Sequence, residues 1–201
     1  MLNLINAGLS LYGPSGGRKY LNAAERRRFA KAAANELDEI RLFCLTLLFS
    51  GGRISEILSL TPAAIDLDGG VVTIRTLKRR KPGAVRQIPL PRALLQGLNR
   101  AFNLRYRQRD PVEGATRLWR WSRTTAWRRV KGVMAKAEIS RTAAMPKGLR
   151  HGFGVNATAK LLPQHLIQRW LGHSSPKTTA IYCDVCGPDE RRLAARMWNS
   201  Q

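Results

Sequence analysis

Acidic residues, cysteines and long apolar runs are all scarce in this chain of 201 residues. Its three cysteines are too few, and odd in number, for a disulfide framework, so we expect reduced thiols. Cys183 and Cys186 have the spacing of half a zinc site, but the sequence has no second Cys-x-x-Cys pair to complete it. A disulfide-stabilised secreted domain is therefore excluded, and structural zinc is disfavoured.

The sequence predicts neither a membrane span nor a secretory signal. The longest strongly apolar stretch near the start, residues 42–49, is far shorter than the about 20 residues that cross a bilayer. Residues 1–6 lack a basic segment followed by sustained apolar residues. We therefore expect a cytoplasmic protein.

Positive charge is what this sequence has in excess. Lys and Arg number 35 against 13 Asp and Glu, which gives a formal net charge of +22 and a pI near 11.4. Such a bias attracts a polyanion, and nucleic acid is the leading candidate because binding releases the counterions condensed on its phosphates. An anionic membrane surface is the competing partner, although no long basic amphipathic helix stands out.

The length fits one main domain, and a hydrophobic content of 44% is enough for a buried core. Residues 1–20, which include a Gly- and Pro-rich run at 13–17, are expected to form a flexible lead-in. The packed domain is expected over residues 21–201, with a C-terminal helix at about 188–199.

Apolar periodicity predicts an α+β fold, mainly α-helical, with a small antiparallel β-hairpin. Residues 37–50 predict a helix with apolar residues on nearly every face, as in a central buried helix. The Gly-Gly pair that follows is expected to end this helix. The next helix begins at Arg53, which is expected to share its exposed side with Glu56. Residues 71–77 and 85–89 predict the two strands of the hairpin. Helical patterns return at residues 92–106, 124–137, 163–171 and 191–198.

Six residues in separate local patterns supply what a tyrosine needs to cleave a DNA phosphodiester: Arg53, Lys78, Lys147, Arg150, His173 and Tyr182. An arginine stays protonated and offers a planar fork of donors, which suits Arg53 and Arg150 to the charge on a pentavalent phosphorus. The alternative for Arg53 is a simple ion pair with Glu56. A phenol is a weak nucleophile at neutral pH, so cations must favour the phenolate of Tyr182.

In their order along the chain and in the residues that form them, these patterns resemble those of the tyrosine recombinases, or phage integrase family. They read G-R-I-S-E at residues 52–56, K-G-L-R-H at 147–151 and L-G-H at 171–173, with a tyrosine nine residues later. The resemblance runs from about Leu21 to Met197 and implies the catalytic-domain fold of that family. Because no separate DNA-binding domain fits before Leu21, the chain is similar to short members such as the fimbrial-type DNA invertases.

The resemblance implies a role for each residue at the reacting phosphate. Arg53 and Arg150 match the positions that clamp the scissile phosphate, and His173 matches a donor to it. Tyr182 matches the nucleophile, and we expect it on a rigid helix that begins at Ser175 and Pro176.

Two lysines and two supporting residues complete the expected site. Lys78 matches a β-hairpin lysine that protonates the leaving 5′ oxygen, with Lys81 as second candidate and a purely electrostatic grip as the alternative. Lys147 stands where histidine is commoner, which leaves its role as a general base open. Glu56 and His151 are expected to orient the site, although core packing is the alternative for His151.

The implied reaction needs no cofactor, because the energy of the broken bond is kept in a 3′-phosphotyrosyl link. Duplex DNA is the implied partner, and candidate contacts are Arg79, Arg80, Lys81, Arg120, Arg123 and Arg128. The C-terminal helix is expected to dock on the next protomer of a tetramer on paired sites, with packing in cis as the alternative. An accessory DNA-binding protein and a place at the bacterial nucleoid or a mobile element are further expectations.

Two other functions fit the same residues. A relaxase of the type IB topoisomerase kind would share the chemistry without site preference. A DNA-binding regulator would keep the basic surface without the reaction.

Overall fold

The structure, a computed structural model, describes residues 10–76, 84–185 and 188–198. Its first helices are α1 (Ala23–Ala34), α2 (Asp38–Ser50) and α3 (Ile54–Leu58). A small sheet follows, with β1 (Ile65–Asp66), β2 (Val71–Arg75) and β3 (Val85–Pro89). The later helices are α4 (Arg92–Phe102), α5 (Leu104–Arg107), α6 (Pro111–Ala115), α7 (Arg123–Lys136), α8 (Pro146–Ala159), α9 (Gln164–Leu171), α10 (Lys177–Ala180) and α11 (Pro188–Trp198). Short 3₁₀ turns lie at Pro62–Ala64, Arg141–Ala143 and Ile181–Cys183.

Helix α2 is the centre of the larger core, as its apolar sequence predicted. Leu42, Phe43 and Leu47 are buried in it, and α1, α4 and α8 pack around them. The helix ends at Gly51, whose φ of 62° is left-handed. A Cβ at Gly51 would lie 2.7 Å from the Phe153 ring, so only glycine fits this close turn.

The predicted hairpin is present and belongs to a three-stranded antiparallel sheet in the order β1-β2-β3. Strands β2 and β3 pair with Val72 opposite Ile88 and Ile74 opposite Arg86. The alternation of strands therefore puts Arg86 on the same buried face as Ile88. The α+β class, mainly helical with a small antiparallel sheet, is confirmed.

The expected boundary near Leu21 is wrong, because the chain is already packed before it. Leu11 and Tyr20 are each 1% exposed and belong to a second core formed with α8, α9 and the segment around Tyr182. A bridge between Tyr12 and Arg18 closes this early segment on itself. Leu11 and Tyr20 flank the Gly-rich run 13–17 and belong to no periodic apolar segment, which is why sequence patterning missed them.

The tryptophans divide between core and surface. Trp119 is 1% exposed, and its indole Nε1 donates to Glu39 O at 2.9 Å. Trp127 on α7 is 38% exposed, while Tyr106 is 66% exposed and contributes little to the core. None of the described helices combines the length and the apolar character that a membrane span requires.

The C-terminal helix is present as α11, close to its predicted bounds. Met197 and Trp198 are 74% and 67% exposed near its end. The side chain of Leu193 lies outside the described part of the chain.

Helix α8 passes so close to Tyr182 that a methyl group at Gly154 would meet the phenol ring. A Cβ there would lie 2.6 Å from three ring carbons. We expect Gly154→Ala to lower the free energy of unfolding by about 1–3 kcal/mol, because the ring must move out of a packed position. Urea denaturation measures this change.

Gly132→Ala is the matched control, because Gly132 lies in α7 with nothing within 4 Å of its added Cβ. Alanine is the better helix former, so this change should stabilise by up to about 1 kcal/mol. Equal effects of the two substitutions would contradict the close packing at Gly154.

Candidate active site

One cleft of about 670 Å³ lies between the start of α3, the start of α8 and the chain after α9. The predicted site residues that line it are Arg53, Glu56, Lys147, Arg150, His151, His173 and Tyr182. The fold therefore brings together residues that are far apart in the sequence. The other predicted catalytic residue, Lys78, lies outside the described residues, as do Arg79, Arg80 and Lys81.

Arg53 precedes α3 and is fixed there by Glu56. Its backbone N–H donates to Glu56 Oε2 at 2.8 Å, and its Nη1 donates to Oε1 at 2.8 Å. The expected exposed position of Glu56 is wrong, since this carboxylate is 0% exposed. The ion pair considered as the alternative for Arg53 is thus real, yet the arginine side chain keeps 29% exposure and lines the cleft. The pair orients a guanidinium that stays accessible.

Arg86 is a third member of this cluster that sequence reasoning missed. From β3 its Nη2 donates to Glu56 Oε2 at 2.7 Å, its Nη1 to Thr76 Oγ1 at 2.9 Å and its Nε to Trp170 O at 2.6 Å. Arg86 is 5% exposed, so these hydrogen-bond acceptors, rather than water, stabilise its positive charge. The strand alternation could have indicated it, because Arg86 shares the core-facing side with Ile88.

Arg150 joins the ends of two helices. Its Nη1 donates to Gly51 O at 2.8 Å and its Nη2 to Leu171 O at 2.6 Å. Carbonyls at a helix C-terminus lack intrahelical partners and carry partial negative charge, so a buried guanidinium satisfies both. Arg150 is 7% exposed and lines the cleft from this anchored position.

His173 lies in the turn immediately after α9, just beyond the helix that the sequence predicted at residues 163–171. Gly172 adopts a left-handed φ of 65°, and the His173 N–H donates back to Gln168 O at 3.1 Å. The imidazole is 7% exposed, and its Nδ1 is 2.9 Å from Thr179 Oγ1. Both the backbone and the ring of His173 are therefore held in place.

Tyr182 lies on a 3₁₀ turn rather than on the helix expected to begin at Ser175 and Pro176. Helix α10 spans only four residues and begins at Lys177, after which the chain tightens into the turn Ile181–Cys183. The phenol is 1% exposed, with its hydroxyl 3.3 Å from His151 Nδ1. Its ring stacks on that of His173, with centroids 6.1 Å apart and planes 16° from parallel.

Burial and positive charge control the protonation of this cleft. Burial, then the charge of Arg150, lowers the pKa of His173 to about 3. Burial, then Lys147, lowers the pKa of His151 to about 4, so both imidazoles are neutral at pH 7. Burial raises the pKa of Tyr182 to about 12, although the charges of Arg150 and Arg53 oppose this rise.

The Arg150 and Glu56 charges survive burial. Burial, then repulsion by Arg53, lowers the pKa of Arg150 to about 10, which leaves it protonated at neutral pH. Burial alone would raise the pKa of Glu56, but the hydrogen bond and charge of Arg86, followed by those of Arg53, lower it below its usual value. The cleft thus contains fixed guanidinium groups and one ionised carboxylate.

The remaining predicted residues occupy different places. Lys147 is exposed at the start of α8 and lines the cleft beside Arg123, which begins α7. Arg128 is exposed further along α7, and Arg120 lines a separate cavity of about 380 Å³. Of the three DNA-contact candidates that the structure describes, Arg120, Arg123 and Arg128, only Arg123 therefore lies at the cleft.

This arrangement suits a reaction at a phosphodiester. The guanidinium groups of Arg53 and Arg150 line the cleft next to a buried phenol and a neutral imidazole, and such groups stabilise charge that develops on phosphate oxygens. The described side chains include no group of three or more His, Cys, Asp or Glu placed to hold a metal ion. Of the possible zinc pair, Cys183 is exposed and Cys186 lies outside the described residues.

Comparison with known proteins places the chain in a family. A sequence model described as the phage integrase family matches residues 19–186. The tyrosine recombinase XerA of Pyrococcus furiosus is 32% identical over 172 residues, which are 83% of this chain and 57% of that protein. XerD of Haemophilus influenzae is 30% identical over 162 residues, 76% of this chain and 52% of XerD. The chain belongs to the phage integrase family, and it spans somewhat more than half the length of these relatives.

Solved structures show the same fold. A crystal structure of XerA recombinase superposes with a TM-score of 0.74 at 23% identity, over 90% of this chain and 66% of that one. The catalytic domain of bacteriophage HP1 integrase gives 0.62 at 20% identity, over 88% of this chain and 93% of that domain. The fold is that of a tyrosine recombinase catalytic domain. The likeness to fimbrial-type invertases stays a prediction.

Because His151 and His173 are neutral in the folded protein, the free energy of unfolding is expected to depend on pH. In the unfolded chain each would regain its ordinary pKa of 6.5, so below that value the unfolded state binds more protons. Stability should be fully present above about pH 6.5 and fall as the pH is lowered towards 4, by about 1–2 kcal/mol per histidine at pH 5. Glu56 adds a further loss only near and below its ordinary pKa of 4.5.

Urea unfolding at pH 7.5 and about pH 5 tests this dependence. The double variant H151Q/H173Q should lose much less stability between the two pH values than the parent protein. His165→Gln is the control, since His165 is exposed on α9 and its removal should leave the dependence unchanged. The assignment fails if the double variant and the control respond to pH alike.

The buried ion pair between Arg86 and Glu56 is expected to contribute strongly to the free energy of unfolding. Arg86→Met should lower the free energy of unfolding by about 3–5 kcal/mol, because a carboxylate at 0% exposure loses its most buried partner. The double variant R86M/E56M should recover most of this loss, since apolar side chains tolerate the same site. Urea denaturation gives both values.

Arg105→Met is the matched control for Arg86→Met. It removes an ion pair with Asp68 in which both side chains are exposed, at 60% and 80%. Exposed pairs contribute little, so its unfolding midpoint should stay near that of the parent protein. Similar midpoints for R86M and R105M would contradict the buried cluster.

Proposed function

We propose that this chain breaks and rejoins duplex DNA at specific sites through a 3′-phosphotyrosyl intermediate on Tyr182. The observation that carries the proposal is the single cleft in which Tyr182, His173, Arg150 and Arg53 meet. Membership of the phage integrase family supports it, as does the likeness to XerA and XerD, which are named tyrosine recombinases.

In the proposed reaction Tyr182 Oη bonds to phosphorus while the bond to the 5′ oxygen breaks. Arg53 and Arg150 bind the non-bridging oxygens, where negative charge develops. His173 donates a further hydrogen bond. The phenolic proton passes to the neutral His151 ring, whose Nδ1 lies 3.3 Å from the Tyr182 hydroxyl, and Lys78 supplies a proton to the 5′ oxygen. The 5′-hydroxyl of another strand then attacks the phosphotyrosine and releases Tyr182 in a second, equivalent step.

The other groups act around this centre. Lys147 is accessible in the cleft and is proposed to bind a phosphate oxygen. Glu56 orients Arg53, and His151 faces the Tyr182 hydroxyl. All the steps exchange one phosphodiester for another, so the proposal requires no cofactor.

Duplex DNA is the proposed substrate. The net charge of +22 supports a polyanionic partner, and XerH, a site-specific recombinase with this fold, has been crystallised in a pre-cleavage complex with its difH substrate. We further infer a tetramer on paired DNA sites, because α11 leaves Met197 and Trp198 exposed for a neighbouring protomer. An accessory DNA-binding protein and association with the nucleoid or a mobile element belong to the same proposal.

Substitution of the nucleophile tests the chemistry. We expect the protein to form a protease-sensitive covalent adduct with nicked DNA substrates that carry candidate sites from beside its own gene. Mass mapping should place the adduct on Tyr182, and Tyr182→Phe should abolish it, because the attacking oxygen is gone. Tyr106→Phe, which removes a hydroxyl from an exposed tyrosine of α5, should react at the parent rate.

The same assay separates the competing functions. Site-dependent strand exchange supports a recombinase, whereas relaxation of supercoiled DNA without site preference indicates a topoisomerase-like relaxase. Salt-sensitive binding without any adduct, even on nicked substrates, overturns the catalytic proposal in favour of a DNA-binding regulator.

A further inference from the structure

The buried contact between His173 and Thr179 determines which ring nitrogen of the histidine is free to act. Thr179 lies in α10 and is 1% exposed, and its Oγ1 is 2.9 Å from His173 Nδ1. A neutral imidazole carries a proton on only one of its two nitrogens. Nδ1 therefore either donates a hydrogen bond to the Thr179 hydroxyl or accepts one from it. The two cases present opposite groups at Nε2.

The hydrogen-bonding needs of the threonine distinguish these cases. A hydroxyl has a single proton, and a buried donor without an acceptor is costly. Among the residues that the structure describes, Thr179 Oγ1 makes no hydrogen bond other than that to His173. If Nδ1 were the donor, the threonine proton would be buried with no acceptor. If Nδ1 accepts, both the Thr179 hydroxyl and Nδ1 are satisfied, and the remaining N–H, on Nε2, is left for the cleft.

We propose that Thr179 is a positioning residue whose hydroxyl donates to His173 Nδ1 and thereby fixes the proton of the imidazole on Nε2. This ring already lines the cleft and stacks on Tyr182. With Nδ1 engaged by Thr179, Nε2 is the nitrogen available to a ligand, and in this tautomer it is a hydrogen-bond donor.

The consequence for catalysis rests on the function proposed above. A non-bridging phosphate oxygen only accepts hydrogen bonds, so the Nε2–H tautomer stabilises it. In the other tautomer the lone pair of Nε2 would face the oxygen and repel it. The neutral state of the ring makes this choice necessary, since an imidazolium would donate from both nitrogens. The low pKa of His173, caused by burial and the neighbouring arginines, is consistent with that state.

Nitrogen NMR of the full chain, labelled with ¹⁵N at histidine, reads the tautomer directly. The chain has three histidines, so His173→Gln identifies the His173 signals by their loss. At pH 7 we expect a protonated Nε2 and an unprotonated Nδ1 in the parent protein. A protonated Nδ1 at His173 overturns the proposal whatever the activity.

Two substitutions of Thr179 separate tautomer control from packing. Thr179→Val keeps the branched shape and removes the hydroxyl, so the His173 ring should lose its exclusive Nε2–H form. The rate of covalent adduct formation in single turnover should then fall at least about 10-fold. Thr179→Ser keeps the hydroxyl and should retain both the parent tautomer and a rate within about 3-fold of the parent.

These outcomes are distinguishable from failure of the proposed function. If the parent protein forms no adduct on any DNA substrate, the proposed function fails while the NMR result still decides the tautomer. If an adduct forms and Thr179→Val reacts at the parent rate with the parent tautomer, the positioning role is wrong. If Thr179→Ser loses as much rate as Thr179→Val, the effect is one of packing, which also contradicts the proposal.

Discussion

Two buried guanidinium groups grip the last carbonyls of α9, and the geometry of the cleft depends on this contact. Arg86 donates to Trp170 O and Arg150 to Leu171 O, immediately before the turn that presents His173. Arg150 also holds the end of α2 through Gly51 O, two residues before Arg53. Parting these elements would leave buried charges without partners, which is far more costly than losing apolar contact alone.

The same groups make the cleft strongly cationic. Arg53, Arg86 and Arg150 surround one carboxylate, Glu56, so their positive charge is only partly compensated within the described residues. This excess, after burial, keeps the pKa of His173 low. A bound phosphodiester would supply the missing negative charge, which gives a physical reason for the site to favour a phosphate ligand.

Periodicity and local motifs predicted most of the helices, the β2–β3 hairpin and the residues that line the cleft. They did not predict that Glu56 is buried, because its i, i+3 spacing to Arg53 is equally compatible with a solvated helix face. They also missed Arg86, whose buried role depends on Glu56 and Trp170, partners distant in sequence. The packing of Leu11 and Tyr20 was missed for a related reason, since neither belongs to a periodic segment.

The sequence by itself determined the fold class, the central position of α2 and the identities of the groups at the site, because these follow from local periodicity, turn residues and side-chain chemistry. The tertiary structure alone decided how those groups are oriented and protonated. The two carbonyl acceptors of Arg150, the burial of Tyr182 and the contact between His173 and Thr179 all arise from elements that meet only after folding. Burial and nearby charge set pKa values and hydrogen-bond direction, and neither is a property of local sequence.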